Sequence, residues 1–482
     1  MTGTILECIG KARDNPLIYL NKQLKTPIYI QLYNALKEEI SLGKYGEEPL
    51  LSIRALSKEL GVSKNSVDQA YQQLLAEGYI YSVPGSGYYC NTIEPVLDVR
   101  QYAVEPELFH PPKAKFLPKY NFAYGILYNE DFSWSKWHKC IKSALLAEES
   151  AKHLIYGDMQ GNYELRKSLS LFLNASRGVN CTASQIIICS GVQDALTLLS
   201  ALLPVDQFPL GYEEPGYDGS RNTLKRHGYK INPISVTSQG ISIDELYLSD
   251  SRLVYVTPSH QYPTGYIMPI ASRYKLLSFV NERDGYIIED DYDSEFRYGT
   301  LSIPSLQSLD QNDSVIYIGT FSKSFSPTLR MAYLILPKRL LPLFYEKFQN
   351  YKTPIPEFVQ IAMSEFIKEG YYVRQLRKLV HTNEKKHRLI IQLLQDQKDS
   401  LIQPVVTHSG VHMLLRFRVR RTEAELLTFL ESQEVKLYPT SIYYSNKYQA
   451  DEPVLLMGFA SMKQNEIRDG IQKLCEVIRQ IK

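Results

Sequence analysis

Two short apolar runs near the middle of the chain lead directly into side chains that could do chemistry. The first run, residues 286–288, is followed by three acids and a phenol in the segment 289–292. The second run, residues 315–318, enters a Ser-rich turn, residues 319–324, that contains a lysine, and Arg330 follows. Short apolar runs bounded by turn residues are typical of buried strands. The sequence therefore predicts two strand ends that carry carboxylates, a phenol, an amine and a guanidinium.

These side chains match the needs of one organic cofactor. Lys323 can form a Schiff base with an aldehyde, and Asp290 can keep a pyridine nitrogen protonated. The phenol of Tyr292 can bind a ring hydroxyl oxygen, and Arg330 can pair with a phosphate. We therefore predict a pyridoxal 5′-phosphate site in which Lys323 is the internal aldimine lysine. The strand-end position favours Asp290 over the other acids beside it, which are Glu289, Asp291 and Asp293.

Two further predicted strands also end in polar side chains or glycines. Residues 186–189 lead into residues 190–193, where a helix starts whose backbone N–H groups can cradle a phosphate. Residues 253–256 lead into the polar segment 257–265. A single turn of this kind is more often structural, but four strand ends that suit one anionic ring ligand are a stronger indication. Alternating strand and helix patterns from Asn121 onward predict an α/β fold with a mainly parallel sheet.

The first part of the chain has a different pattern, three helices and a hairpin. Thr26 and Pro27 predict the cap and the first residue of helix one. Ser52 predicts the cap of a second helix that stops at Gly61, and Ser63 predicts the cap of a third. A helix, a short turn and a helix with a polar N-terminal side is the pattern of a helix-turn-helix, and the hairpin that follows has the place of a wing.

Charge does not decide whether this part binds DNA. Between residues 22 and 77, seven basic side chains face seven acidic ones. A small helical packing module without DNA contact is therefore the alternative for residues 26–90. The formal net charge of +2 gives no basic field over the whole molecule, so any nucleic-acid binding has to come from the local placement of charge.

Length and composition limit the remaining possibilities. A chain of 482 residues is too long for one core. The proline-containing, weakly patterned residues 93–117 predict a linker, between a DNA-binding domain at residues 20–92 and a ligand-binding domain at residues 118–482. Six scattered cysteines lack the close pairing of a zinc site, and we predict no metal site. Without an apolar run of membrane-spanning length or a secretion signal, we expect a cytoplasmic protein.

The first domain closely resembles the winged helix of GntR-type regulators. The resemblance lies in residues 52–56 (SIRAL), 60–67 (LGVSKNSV) and 70–74 (AYQQL), with the wing at 85–89 (GSGYY). It implies that promoter DNA is a partner. The residues implied to contact phosphates or bases are Arg54, Ser63, Lys64, Asn65, Ser66, Gly85 and Ser86.

The second domain resembles fold-type I aminotransferases. Residues 320–323 (TFSK) with Arg330 look like the lysine signature, residues 213–217 (EEPGY) look like the segment whose ring stacks on the pyridine, and residues 156–166 look like the segment that reaches the neighbouring subunit. The resemblance implies that Tyr217 stacks on the cofactor and that Tyr156 reaches the partner's phosphate. The residues implied to surround the phosphate are Val192, Gln193, Thr320, Ser322 and Arg330.

A winged helix linked to an aminotransferase-like domain resembles the MocR subfamily of GntR-type regulators. The subfamily implies a homodimer, head-to-tail and domain-swapped. The chain departs from the related patterns in three places. Ser461 stands where aminotransferases have an arginine that binds the substrate carboxylate, and the pair Asp218-Gly219 stands where a MocR-type regulator of an amino compound has a second one. Tyr262 replaces the asparagine that aminotransferases have beside the ring hydroxyl. These departures make an amino-acid substrate doubtful.

We therefore expect a transcription regulator that responds to pyridoxal phosphate itself and controls its synthesis, as some MocR-type regulators do. Two alternatives stay open. One is a regulator that senses an amino compound through bound pyridoxal phosphate. The other is a working aminotransferase with an incidental DNA-binding domain.

Overall fold

The computed structural model of the protein describes residues 18, 20, 21, 24, 26–46, 48–91, 118–125, 132–146, 156–299, 303–396, 401–405, 409–445 and 452–481. These residues form two compact units, one that ends at residue 91 and one that begins at residue 118. The predicted linker, residues 93–117, lies outside the described residues. Among the described helices, none has both the length and the apolar character needed to cross a membrane.

The first unit has the predicted three helices and hairpin. The hydroxyl oxygens of Ser52 and Ser63 cap the second and third helices, as predicted, by accepting hydrogen bonds from backbone N–H groups two or three residues into each helix. Gly61 ends the second helix with a left-handed φ of 60°, which glycine adopts without strain. In chain order the elements are α1 (Ile28–Ser41), α2 (Ile53–Leu60), α3 (Lys64–Ala76), β1 (Ile80–Val83) and β2 (Gly87–Cys90).

The predicted start of α1 is wrong by one residue. Pro27, rather than Thr26, is the N-cap residue, and no side chain caps this helix. The carbonyl oxygen of Thr26 instead accepts a hydrogen bond of 2.7 Å from the side-chain amide of Gln31. The carbonyl oxygen of Pro27 accepts hydrogen bonds of 3.0 and 3.2 Å from the N–H groups of Ile30 and Gln31, so the first turn of the helix closes on Pro27.

Apolar stripes on the three helices form the core of this unit. Leu32 and Leu36 of α1 pack with Leu56 of α2 and with Val67 and Leu74 of α3, and all five side chains are buried. The strands β1 and β2 pair antiparallel over four residues each. The core therefore fixes α2 and α3 against α1, and it leaves the polar start of α3 and the hairpin turn exposed.

The second unit is built on a large sheet and a smaller one. Its elements in chain order are β3 (Tyr120–Asn121), α4 (Trp134–Leu146), α5 (Tyr163–Arg177), β4 (Ile186–Cys189), α6 (Val192–Leu202), β5 (Leu210–Glu214), α7 (Asp218–Arg226), β6 (Ile231–Thr237), β7 (Gly240–Ile241), α8 (Ile243–Leu248), β8 (Leu253–Val256), α9 (Ile270–Glu282), β9 (Tyr286–Asp291), β10 (Val315–Thr320), β11 (Ala332–Ile335), α10 (Leu341–Lys347), α11 (Glu357–Lys368), α12 (Tyr371–Gln395), β12 (Ile402–Val405), β13 (His412–Phe417), α13 (Glu423–Ser432), β14 (Val435–Lys436), β15 (Tyr438–Pro439), β16 (Val454–Gly458) and α14 (Gln464–Arg479).

The large sheet has the strand order β4-β11-β10-β9-β8-β5-β6-β7. The run from β10 to β6 is parallel. Because β11 is antiparallel to both β10 and β4, the strand β4 runs in the same direction as β10. The carboxyl ends of β4, β10, β9, β8 and β5 therefore lie at one edge, and the predicted mainly parallel α/β sheet is confirmed.

Helices cover both faces of this sheet because its strands are apolar on both sides. Along β4, Ile187 and Cys189 pack into a cluster with residues of α6, whereas Ile186 and Ile188 pack into another with residues of α5 and α11. A strand that is buried on both faces reads as a continuous apolar run, which is the pattern seen here.

The smaller sheet, β12-β13-β16-β15, brings the N-terminal end of the second unit to the same edge. The amide of Gly458, at the end of β16, donates to the carbonyl of Phe122 over 3.0 Å. A Cβ at Gly458 would lie 2.7 Å from the Cα of Tyr124, so the close approach requires glycine. This contact positions Tyr124 next to the strand ends of the large sheet.

Candidate cofactor site and DNA-binding surface

Lys323 lies in the turn that follows β10. The hydroxyl of Thr320 accepts a hydrogen bond of 3.1 Å from the backbone N–H of Ser322 and donates one of 2.9 Å to its side chain, which holds the turn. The Nζ of Lys323 lies 3.8 Å from the centre of the Tyr124 ring. Burial lowers the pKa of the Lys323 ammonium to about 8, against the opposing effect of Asp293 and Asp290. A larger share of this amine is therefore neutral at neutral pH than of an exposed lysine.

Asp290 is buried at the carboxyl end of β9, and one of its oxygens accepts a hydrogen bond from the hydroxyl of Tyr255. The other oxygen, Oδ1, has no partner among the described residues. Burial raises the pKa of Asp290 to about 7, and the nearby carboxylates of Asp291 and Asp293 add to the effect, while the Tyr255 hydrogen bond and Lys323 oppose it. The unpartnered oxygen can accept an N–H from a ligand.

The neighbouring acids are each paired with other groups. Glu289 accepts hydrogen bonds of 2.8 Å from the backbone N–H groups of residues 306 and 307. Asp291 forms a 2.9 Å ion pair with Arg177, and Asp293 lies 2.9 Å from the Nδ1 of His260. Asp290 alone of the four accepts no hydrogen bond from an N–H group within the described residues, which distinguishes it from the three alternatives that the sequence left beside it.

Tyr292 lies over the same strand end. Its hydroxyl is 3.0 Å from the Nδ1 of His260, the atom that also contacts Asp293. Burial, followed by the charge of Asp293, raises the pKa of Tyr292 well above its usual value, so the phenol stays protonated. His412 lies beside this group, and donor atoms of His260, Asp293 and His412 lie within 4.8 Å of one another. The Nδ1 of His260 contacts both Asp293 and the Tyr292 hydroxyl, whereas its Nε2 and the Nδ1 of His412 are buried without a partner among the described residues.

Gly191 and Arg330 form a second part of the site, at the start of α6. Gly191 has a φ of +126°, which L side chains rarely adopt, and a Cβ there would lie 2.7 Å from an Nη atom of Arg330. An open cavity adjoins them, lined by Ser190, Gln193, Asp194, Thr197, Thr223, Arg226, His227 and Arg330. The guanidinium groups and the positive end of α6 make this cavity suited to an anion.

The structure brings some predicted residues together and leaves others apart. Tyr217 packs against Tyr262 with 5.5 Å between ring centres, and Asp290 and Arg330 both influence its pKa, which burial raises. Gln193 and Arg330 line the anion-suited cavity, whereas Val192, Thr320 and Ser322 are not among its lining residues. Tyr156 is 87% exposed and makes no hydrogen bond to the other predicted site residues within the described part of the chain.

Sequence reasoning missed two residues of this site. Tyr255, on the neighbouring strand β8, donates a hydrogen bond from its hydroxyl to Asp290. The ring of Tyr124, about 200 positions earlier in the chain than Lys323, faces the Nζ of that lysine. A tyrosine in the middle of an apolar strand indicates that its buried hydroxyl has a hydrogen-bond partner. The indication of a site is weak, because the sequence does not show which residue that partner is. No local pattern marks Tyr124.

The predicted DNA-binding residues lie in α2, at the start of α3 and at the tip of the hairpin. Arg54 is exposed on α2, and Lys64 and Asn65 are exposed in the first turn of α3. Ser66 is partly buried, and its hydroxyl lies 2.8 Å from that of the cap residue Ser63. The turn residues Gly85 and Ser86 are exposed at the tip of the hairpin.

Comparisons with known proteins extend over nearly the whole chain. The family "Bacterial regulatory proteins, gntR family" matches residues 28–90, and the family "Aminotransferase class I and II" matches residues 120–474. The chain is 37% identical to the HTH-type transcriptional regulator YhdI of Bacillus subtilis (95% of this chain, 97% of the relative). It is 30% identical to the probable rhizopine catabolism regulatory protein MocR of Rhizobium meliloti (95% of each).

Two further similarities are to another regulator, over nearly the whole chain, and to a solved aminotransferase structure, over three quarters of it. The chain is 28% identical to the HTH-type pyridoxine biosynthesis transcriptional regulator PdxR of Corynebacterium glutamicum (96% of this chain, 98% of the relative). A kynurenine aminotransferase of Pyrococcus horikoshii shares the fold, with a TM-score of 0.68 at 20% identity over 75% of this chain and 91% of that protein. The chain belongs to the MocR-type HTH transcriptional regulators, which join a GntR-family DNA-binding domain to an aminotransferase class I and II domain.

Proposed function

We propose that this regulator binds pyridoxal 5′-phosphate at Lys323 and that this binding changes its affinity for promoter DNA. The observation that carries the proposal is the unpartnered Oδ1 of Asp290, buried close to a lysine whose pKa burial has lowered to about 8. When bound, pyridoxal phosphate would supply an aldehyde for an amine and a ring nitrogen for an acid. Both groups are present, and the residues therefore fit the cofactor.

The other predicted residues would each hold one part of the cofactor. Tyr292, next to His260, would offer its hydroxyl to the ring oxygen, and the ring of Tyr217 would cover one face. Arg330 would pair with the phosphate beside the glycine that leaves it room. The remaining phosphate contacts of this proposal come from Val192, Gln193, Thr320 and Ser322, with Tyr156 of the partner subunit in a head-to-tail homodimer.

We propose sensing rather than turnover. An aminotransferase has to hold the carboxylate of its amino-acid substrate, and a bidentate guanidinium is the usual means. Ser461 stands at the position of the aminotransferase arginine, and Asp218 stands at that of a second arginine in a MocR-type regulator that senses an amino compound. The hydroxyl of Tyr262 donates to that of Tyr443 over 2.7 Å. The similarity to PdxR supports control of pyridoxal phosphate synthesis as the output.

DNA binding with and without the cofactor tests the proposal. The purified protein would be footprinted on the DNA upstream of its own gene and of the neighbouring genes, with Lys323→Ala beside it and Lys352→Ala, an exposed lysine, as the matched control. We expect pyridoxal phosphate to change affinity, footprint or DNA bending for the unaltered protein and the control, but not for Lys323→Ala. A cofactor that changes none of these in the unaltered protein contradicts the proposal. Turnover with an amino acid and a keto acid would establish an enzyme instead.

A further inference from the structure

Two buried histidines and a buried aspartate meet in the second unit. His260 lies in the segment that follows β8, Asp293 lies two residues beyond β9, and His412 is the first residue of β13. One donor atom of each side chain lies within 4.8 Å of the others, and none of the three residues is more than 2% exposed. We call these three residues the His-Asp-His cluster. They come from three distant segments, so their spacing in the sequence does not predict the cluster.

Hydrogen bonds indicate which nitrogen of each imidazole carries the proton. The Nε2 of His412 lies 3.3 Å from the carbonyl oxygen of Pro263, which can only accept, so this nitrogen is the protonated one. The Nδ1 of His260 lies 2.9 Å from the carboxylate of Asp293, so it carries the proton when the acid is ionised. In the neutral rings the second nitrogens are therefore lone pairs. Both of them, the Nδ1 of His412 and the Nε2 of His260, are buried without a partner among the described residues.

Two unpartnered lone pairs beside a carboxylate are suited to a cation. A buried acceptor without a partner is unfavourable, and a metal ion removes that cost. Neutral imidazole nitrogens and a carboxylate oxygen are ligands of zinc, and two histidines with one acid are the protein ligands of one class of zinc site. Asp293 would either bind the ion or orient His260 through its Nδ1, as carboxylates beside metal-bound histidines do.

The cluster is close in size to a metal site. Three atoms no more than 4.8 Å apart all lie within about 2.8 Å of a common point. Zinc bonds to nitrogen and oxygen are about 2.0–2.2 Å long, so each donor has to move inward by no more than about 0.8 Å. Rotation of the two rings about their side-chain torsions can provide a movement of that size. A Cβ at residue 410 would overlap the ring of His260, so Gly410 leaves this ring its space.

We propose that the His-Asp-His cluster binds a divalent transition-metal ion, with zinc as the first candidate. His260 and His412 each give one imidazole nitrogen, and the carboxylate of Asp293 supplies negative charge. The simplest alternative is a buried water molecule that donates to both lone pairs and leaves no place for a cation. The proposal goes beyond the proposed function, because its three side chains are distinct from those assigned to hold pyridoxal phosphate.

Metal titrations of the full-length, cofactor-free protein test the proposal. The probe is zinc chloride in competition with a coloured chelator, after a long incubation because the cluster is buried. The titration is made at pH 8, where protons compete little for imidazole and about half of Lys323, whose ammonium opposes a second cation, is neutral. We expect one zinc ion per chain. Cobalt(II) in the place of zinc should develop the visible absorbance of a site with nitrogen ligands.

Variants identify the side chains responsible. His412→Gln and Asp293→Asn each keep a polar side chain of similar size but remove a ligand or its charge, and each should weaken zinc binding about tenfold or more. His138→Gln, which changes an exposed histidine on α4, is the matched control and should bind zinc as the unaltered protein does. Circular dichroism checks that each variant is folded, and the cobalt spectrum of the unaltered protein needs no variant at all.

Each outcome decides the matter. An unaltered protein that binds no stoichiometric zinc, or whose cobalt form shows no nitrogen ligands, refutes the proposal and leaves the lone pairs to a buried water. Zinc affinity that is unchanged in both His412→Gln and Asp293→Asn, or that is lost in His138→Gln, assigns the ion to surface histidines and also refutes it. None of these results bears on the proposed function, since no cofactor is present in the titrations.

Discussion

Lys323 should react with an aldehyde at a much lower pH than an ordinary lysine does. Burial lowers the pKa of its ammonium from the usual 10.5 to about 8. The neutral amine is the reactive form, and each unit of pKa changes its ratio to the ammonium tenfold. About one-tenth of Lys323 is therefore neutral at pH 7, a fraction about 300-fold larger than for a lysine of pKa 10.5.

The rate of cofactor uptake across the pH range measures this difference. The visible absorbance that develops on mixing protein with pyridoxal phosphate gives the rate, and it should rise with pH and level off above about 8. The amine of N-acetyllysine, measured in the same buffers, corrects for titration of the cofactor itself. Trapping by borohydride, followed by mass spectrometry, assigns the reaction to Lys323.

A single substitution tests the assigned cause. Asp293 favours the ammonium form of Lys323, so Asp293→Asn should move the midpoint of the uptake profile to lower pH. Asp206→Asn, which changes an exposed acid in the loop after α6, should leave the midpoint in place. A midpoint near 10.5 in the unaltered protein, or one that moves upward in Asp293→Asn, would show that the reasoning about burial and charge is wrong.

Further predictions concern the ring, the phosphate and the DNA. Asp290→Asn keeps a hydrogen-bond acceptor for Tyr255 but removes the charge that would pair with the N–H of the pyridine ring. We therefore expect absorbance titrations to show pyridoxal phosphate binding about tenfold more weakly or worse, and an unchanged Kd would count against this role of Asp290. Arg330→Ala should weaken the binding of pyridoxal phosphate and leave that of pyridoxal, which has no phosphate, unaltered; equal losses for both would exclude a phosphate contact. Lys64→Ala should lower the slope of log DNA affinity against log salt by about 1, while Lys275→Ala on α9 should not, and equal slopes would argue against a phosphate contact by Lys64.

Strand ends were the part of the site that the sequence could predict. A strand buried on both faces has to be apolar, so the first polar residue after the run marks the edge of the sheet. That rule predicted Asp290 at the end of one strand and Lys323 in the turn after another. In the structure these strands, β9 and β10, are neighbours and pair in parallel, with Ile318 beside Asp290. The helix caps at Ser52 and Ser63 were predictable for a similar reason, since both depend on contacts within three residues.

Contacts between distant segments could not be predicted in this way. The partner of Asp291 is Arg177, more than 100 positions earlier, and the ring under Lys323 belongs to Tyr124. Neither contact follows from spacing, because the sheet order that brings these segments together is a property of the whole unit. One local prediction also failed, since Pro27 and not Thr26 is the N-cap residue of α1.

The unfavourable features of the site are themselves an argument for a ligand. In the protein alone, Asp290 is buried without an N–H partner and Lys323 is buried close to a ring face, and burial shifts both pKa values toward the uncharged form. Buried polar groups of this kind cost stability unless they are paired. A ligand that supplies an N–H to the acid and a bonding partner to the amine removes both costs at once, so its binding stabilises the folded unit. Any such ligand raises stability by about 2.7 kcal/mol at a free concentration of 100 times its Kd. If the proposed cofactor binds here, its concentration in the cell would therefore set the stability of this unit.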